Sequence, residues 1–149
     1  MLEMEIKFVK AQEEDKAFFL NLRKQTMNEH LEKAGIYLSE EEHKGRVDKN
    51  YDGSYIISNS FNKLGLLKYI EEDTRIEILQ LQILPKFQGN GIGKQVLNKM
   101  ISKAETMKKD LFLKVLKDNP AKHLYRRCGF KIIGEDNYEF FMQRSNITA

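Results

Sequence analysis

Between Arg75 and Met107 the chain reads RIEILQLQILP, then KFQGNGIGK, then QVLNKMISKAETM: a strand pattern, a glycine loop and a helical pattern in direct succession. This succession constrains the fold more than any other stretch. A strand that turns into a helix through Gly89, Gly91 and Gly93 forms a loop whose backbone amides converge. Glycine permits positive φ and close approach of a ligand, and a helix start offers free N–H groups with a partial positive charge. Together these bind an anion, phosphate above all, without needing a charged side chain.

Counting excludes two familiar phosphate loops. A dinucleotide fingerprint needs G-x-G-x-x-G, and Gly93 follows Gly91 one position too early. A nucleoside-triphosphate loop needs a glycine five residues before the Gly-Lys pair and Ser or Thr after it, where this chain has Gln88 and Gln95. What remains is Q-x-x-G-x-G from Gln88 to Gly93. On local grounds the glycines have a second reading, as a tightly packed turn.

The rest of the chain supplies the context. Residues 4 to 10 alternate as an opening strand, and Gln12 to Ala34 carries Phe18, Leu22, Met27 and Leu31 near helical spacing, with Gly35 as its stop. Ser39-Glu40-Glu41-Glu42 is a capping box for a second helix, with His43, Val47 and Tyr51 on one face. After Asp52-Gly53, the runs SYIISNS, KLGLLKYI and RIEILQLQIL read as an antiparallel meander. Strict alternation places Glu77, Leu79, Leu81 and Ile83 on one face of the third strand and Ile78, Gln80 and Gln82 on the other, unless a bulge intervenes. The helix after the loop has an apolar stripe of Ile92, Val96, Leu97, Met100, Ile101, Ala104 and Met107. Leu111 to Leu116 is a strand, Asn119-Pro120 opens a helix that Gly129 ends, and Phe130 to Ile133 and Tyr138 to Gln143 are closing strands. The last five residues read as a frayed tail.

The predicted order is β-α-α-β-β-β-α-β-α-β-β, an α/β fold with a central, twisted mixed sheet between helical layers. With 149 residues and no linker or repeat, one domain spanning 1–149 is expected, burying roughly 68–70% of the unfolded surface. The 41% hydrophobic and 32% charged content excludes disorder, and a net charge of only +3 does not call for nucleic acid. Cys128 is the single cysteine, so no internal disulfide is possible and a reducing cytoplasm fits. No membrane span or signal peptide is legible, and no Cys or His pair has metal-site spacing. A homodimer is compatible with everything above.

A second motif, Asn119-Pro120-Ala121 through Leu124-Tyr125 to Gly129-Phe130, lies 31 residues beyond the loop, counted from Gln88 to Asn119. Loop, segment, spacing and element order together resemble the GNAT family of N-acetyltransferases. The resemblance covers most of the chain and is strongest from Glu77 to Ile133. It implies acetyl-CoA as cosubstrate, with Gln88, Gly89, Asn90, Gly91, Ile92, Gly93 and Lys94 around the pyrophosphate. It also implies that the backbone of Leu81, Gln82 and Ile83 meets the pantetheine arm and the thioester oxygen, and that Asn119 and Tyr125 contact the cofactor. Tyr125 would protonate the departing thiolate, and Glu77 would be the general base.

Each residue has a plainer reading: Asn119 as a helix cap, Tyr125 as packing between helix and sheet, Lys94 as a solvated lysine and Glu77 as an exposed strand carboxylate. The chemistry nonetheless asks for such groups. A phenol of pKa about 10 stays protonated at neutral pH and can donate to a thiolate whose acid has pKa about 8.5, and an amine of pKa about 10.4 must lose a proton before it attacks. The expected reaction is direct transfer of acetyl to a primary amine of a small molecule or peptide; the other reading is a non-catalytic acyl-CoA sensor or scaffold. For the acceptor site the resemblance points to the first two helices, with Phe18, Phe19, Tyr37 and Tyr51 as candidate lining. Glu40 to Glu42 and Glu71 to Asp73 are acidic runs that could attract a cationic acceptor or could be solvated surface.

Overall fold

The computed structural model describes residues 5–146, so Met4 of the opening strand and residues 147–149 of the tail lie outside the described residues. In chain order the elements are β1 (Lys7–Lys10), α1 (Lys16–Lys33), α2 (Glu40–Asp48), β2 (Ser54–Ser58), β3 (Lys63–Glu71) and β4 (Arg75–Ile83). They continue as α3 (Ile92–Met107), β5 (Asp110–Leu116), α4 (Ala121–Arg127), β6 (Lys131–Glu135) and β7 (Glu139–Arg144). This is the order expected from the sequence. The sheet runs β1-β2-β3-β4-β5-β7-β6. Among the described residues only β4 and β5 pair in parallel, joined by the α3 crossover.

Local chemistry explains the helix ends. The Gln12 N–H donates to Asp15 Oδ2 at 2.7 Å in a short turn of 3₁₀ helix that leads into α1, and the chain leaves α1 at Gly35 with φ +78°. At α2 the Glu42 N–H donates to Ser39 Oγ and the Ser39 N–H donates to Glu42 Oε1, both at 3.1 Å, which completes the capping box. Tyr51, expected on α2, falls instead in a 3₁₀ turn after it.

Helices cover both faces of the sheet. Under α3, Val96, Leu97 and Met100 pack with Ile76, Ile78, Leu111, Leu113 and Met142. Under α1 and α2 a smaller cluster holds Phe19, Leu22, Val47, Ile56 and Leu66.

Two irregularities in β4 shape the molecule. Register against β3 slips so that Lys68 pairs Gln80 and Tyr69 pairs Ile78, leaving Leu79 as the extra residue of a bulge. Alternation therefore reverses there. Ile76 and Ile78 share the α3 face with Leu81 and Ile83, while Glu77 lies on the α1–α2 side with Gln80 and Gln82. This corrects the expected grouping of Ile78 with the two glutamines. The second irregularity is that β4 pairs β5 only from Arg75↔Asp110 to Ile78↔Leu113, after which β5 continues with β7 alone as far as Leu116↔Glu139. Beyond Ile78 the two central strands part.

Candidate active site

The parting of β4 and β5 opens a cleft through the middle of the molecule. On one side it is a groove of about 260 Å³ lined by Leu81, Gln82, Ile83, Gln88, Gly93, Asn119 and Tyr125, together with Met27 and His30 of α1. A second cavity of about 430 Å³ shares Met27, Leu81, Gln82, Asn119 and Tyr125 with the groove and adds Arg23, Gln80, Lys114 and Glu139. A third, of about 540 Å³, continues from Gln80, Arg46, Lys114 and Glu139 to Glu77 and Lys68. The shared lining residues set these side by side along one cleft, a passage in three parts.

At the groove end, Gly89 and Gly91 have φ of +81° and +76°, and a Cβ at either would meet nothing within 4 Å. Backbone conformation, not crowding, requires glycine there, which disposes of the tight-packing reading for these two. Gly93 differs: its added Cβ would sit 3.4 Å from Leu124 Cδ2, so it sets how closely α3 approaches α4. Gln88 Nε2 donates to Ile83 O at 3.0 Å and Asn90 Nδ2 to Phe87 O at 3.1 Å, tying the loop back to the strand it leaves. Helix α3 then begins after Gly91 with no side-chain cap, so its first amides face the loop's concave side. These features suit a pyrophosphate. Ile92 contributes only its backbone, because its side chain is buried in the core. Lys94 is exposed and makes no ion pair among the described residues.

Asn119 Oδ1 accepts from the Ala121 N–H at 2.9 Å, so its carbonyl oxygen caps α4 while its amide nitrogen is left for the groove. Tyr125, 7% exposed, packs its ring 5.9 Å from that of Phe130. Burial pushes its phenol up to about 12, so it stays protonated at neutral pH. Both plain roles are therefore real, and both side chains also line the groove.

Glu77 is set apart from this group. It lines the third cavity, not the groove, and lies 3.7 Å from Arg75 Nη2. The same stretch holds Glu139, whose carboxyl is raised above the ordinary range by burial and then by Asp136. Glu139 went unread in the sequence because it faces the cleft only once β7 inserts between β5 and β6.

The walls on the α1–α2 side were also unread. Arg23 is 3% exposed and its Nε donates to His43 Nδ1 at 3.1 Å. Burial and the neighbouring Arg46 lower it to about 10. Lys68, 3% exposed, donates to the carbonyls of Arg46, Val47 and Lys49 at the end of α2, at 3.0, 3.0 and 2.7 Å. One sequence signal was available: Arg23 stands four residues after Phe19, where helical spacing calls for an apolar side chain.

The expected aromatic lining is corrected. Phe19 is core, Phe18 packs at its edge, Tyr51 donates to Gln12 O at 2.6 Å, Tyr37 is exposed, and none of them borders the passage. Most of the acidic runs are occupied as well: Glu40 pairs with Lys24, Glu42 caps α2, Glu71 pairs with Lys103 and Glu72 with Arg75.

Solved structures share this fold. The PaiA N-acetyltransferase of Thermoplasma acidophilum, in complex with coenzyme A, superposes with a TM-score of 0.74 at 20% identity, over 95% of this chain and 99% of that one. An acetyltransferase of Thermus thermophilus gives 0.76 at 16% identity, over 97% and 99%. Naa50 of Arabidopsis thaliana, in complex with the bisubstrate analogue CoA-Ac-MVNAL, gives 0.70 at 16% identity, over 94% and 98%. No curated protein matches the sequence at a significant level. The fold is the one these GNAT-type proteins share. The sequence profile described as "Acetyltransferase (GNAT) domain" matches residues 50–132, more than half of the chain, and the protein belongs to that family.

Proposed function

We propose that the chain, as one acetyltransferase domain over residues 1–149, moves the acetyl group of acetyl-CoA to a primary amine by direct transfer in a ternary complex. The observation that carries this reading is the succession of cavities along the cleft: the groove shares Leu81, Gln82, Asn119 and Tyr125 with a second cavity bordered by Glu139, which in turn shares Gln80, Lys114 and Glu139 with a third bordered by Glu77. PaiA of T. acidophilum is described with coenzyme A, and Naa50 with an analogue joining coenzyme A to a peptide. A cofactor arm and an acceptor entering one passage from opposite sides is the geometry such an analogue mimics.

In this reading Gln88 to Gly93, with Lys94 at the rim, hold the pyrophosphate through backbone amides. Leu81 to Ile83 present backbone groups that no β5 residue occupies, and one amide there stabilises the negative charge that builds on the thioester oxygen. Glu77 accepts the proton of the attacking ammonium, directly or through water. The amine nitrogen then bonds to the acetyl carbon, the carbon–sulfur bond breaks, Tyr125 gives its proton to the sulfur, and the second proton released by the nitrogen returns through water to the Tyr125 phenolate. The protein supplies orientation as well as these groups.

The test is thiol release from acetyl-CoA against amines, polyamines, aminoglycosides, amino acids and lysine peptides, with acetyl-CoA binding measured in parallel. Turnover on some amine, with Tyr125→Phe lowering kcat and sparing acetyl-CoA affinity, is the expected result. Binding without turnover on any of them identifies a sensor instead. Failure to bind acetyl-CoA rejects both.

A further inference from the structure

The passage beyond the groove is walled by cations, and the deepest of them lacks a counter-charge. Arg23 is buried, its Nε is spent on His43, and its two terminal nitrogens make no hydrogen bond among the described residues. A second cation, Arg46 of α2, acts on it as well. Among the described residues no carboxylate lies within ion-pair distance of Arg23, Arg46 or Lys114, which line the same cavity; Glu139, also in its wall, acts on Arg46 and Lys114 from further away. The cations are not evenly matched elsewhere in the passage either: the acids that border it are Glu77 and Glu139, against Arg23, Arg46, Lys49, Lys68 and Lys114.

Burying a guanidinium beside another guanidinium with no anion is costly, and proteins keep such arrangements where a ligand supplies the missing charge. The geometry also dictates the kind of anion. With Nε tied to His43, the free end of Arg23 is the planar pair of terminal nitrogens, a fork that matches a carboxylate through two parallel hydrogen bonds. His43 fixes that fork: its Nδ1 accepts from Arg23, so the imidazole is neutral and burial keeps it so.

Gln80 and Gln82 line the same cavity as Arg23, and its space of about 430 Å³ suits a small molecule.

We propose that the acceptor is a small amine carrying a carboxylate, of amino-acid size, held by its carboxylate on Arg23 and Arg46 with its amine toward Gln80, Gln82 and Glu77. This rests on the acetyl-transfer reading above and narrows it to a substrate class. It argues against polyamines and aminoglycosides, whose cations would meet Arg23, Arg46 and Lys114.

The experiment measures thiol release with each free amino acid beside its α-carboxamide and its decarboxylated amine, and follows binding of the same compounds to the CoA-saturated protein by calorimetry. The free acid is expected to be preferred in kcat/KM by about 10–100-fold over both partners, the usual worth of hydrogen bonds to a charged group. Arg46→Gln, an exposed position, and Arg23→Gln should each raise KM for the acid by more than KM for the amide, so that the preference for the free acid falls by a similar factor. Equal or reversed preference overturns the proposal and leaves acetyl transfer intact, as does preference for O-phosphoethanolamine over every amino acid. If no compound is turned over, carboxylate-dependent binding heat still supports it and its absence overturns it. Loss of acetyl-CoA binding is the separate signature that the acetyl-transfer reading itself has failed, and the proposal falls with it.

Discussion

Beneath α3 and α4 the buried side chains are Ile, Leu, Val, Met, Ala and Phe, with Tyr125 the one phenol among them. Beneath α1 and α2 the same sheet buries Arg23, His43, Lys68 and Gln82 beside Phe19 and Leu22. One face is packed as a core and the other as a lining. The difference arises at Leu79, since the bulge there sends Ile76 and Ile78 to the apolar side and Glu77 to the polar one. Stability should accordingly be concentrated on the first face and chemistry on the second, and substitutions can break that division.

The largest effect is expected at Glu77. Glu77→Gln should lower kcat/KM by on the order of 10²–10⁴ and shift the pH–rate profile while leaving the melting temperature in place. Wild-type activity across pH would free Glu77 of any role as base and turn attention to Glu139. On the apolar face the reverse is expected. Leu97→Ala should cost about 2–5 kcal/mol in chemical denaturation, with the turnover of folded molecules retained; a small loss would mean that the core under α3 is loosely packed.

Lys68 sharpens the comparison through pH. Burial, then Arg23, hold its ammonium down to about 8 against an ordinary 10.5. Below pH 8 both the folded and the unfolded chain carry the proton, and the penalty for burying it is fully present. Between 8 and 10.5 the unfolded chain binds the proton better, so stability from this site rises with pH. The stability of the wild type relative to Lys68→Met should therefore increase from about pH 8 to about pH 10, and a flat or falling difference would mean that the three carbonyls at the end of α2 compensate the burial. The smallest effect belongs to the edge of the polar face: Ser39→Ala removes the cap of α2 and should cost about 1 kcal/mol in thermal or chemical unfolding.

The order of the elements was legible because it depends on periodicity, capping and glycine placement, all local properties. Gln88 to Gly93 and Asn119 to Tyr125 were legible for the same reason: each motif sits at a junction between neighbouring elements. The bulge at Leu79 was not, since one extra residue in a strand changes which face each neighbour meets without changing its identity. Glu139 was hidden because its surroundings are set by β7 entering between strands distant in sequence. Arg23 left a trace, as a charge in an apolar stripe, but its meaning depends on His43 and Arg46 of another helix. The aromatic residues of the first two helices misled by being large, since the structure spends them on the core and on a hydrogen bond to Gln12.

The separation of β4 from β5 after Ile78 has a consequence for how this chain can change. Extending their parallel pairing past Leu113 would satisfy more backbone groups and stiffen the centre of the sheet, and would shut the passage in doing so. Sequence drift toward a better-made sheet is thus drift toward an inert one. Between residues 79–83 and 114–116, greater stability and continued activity select in opposite directions.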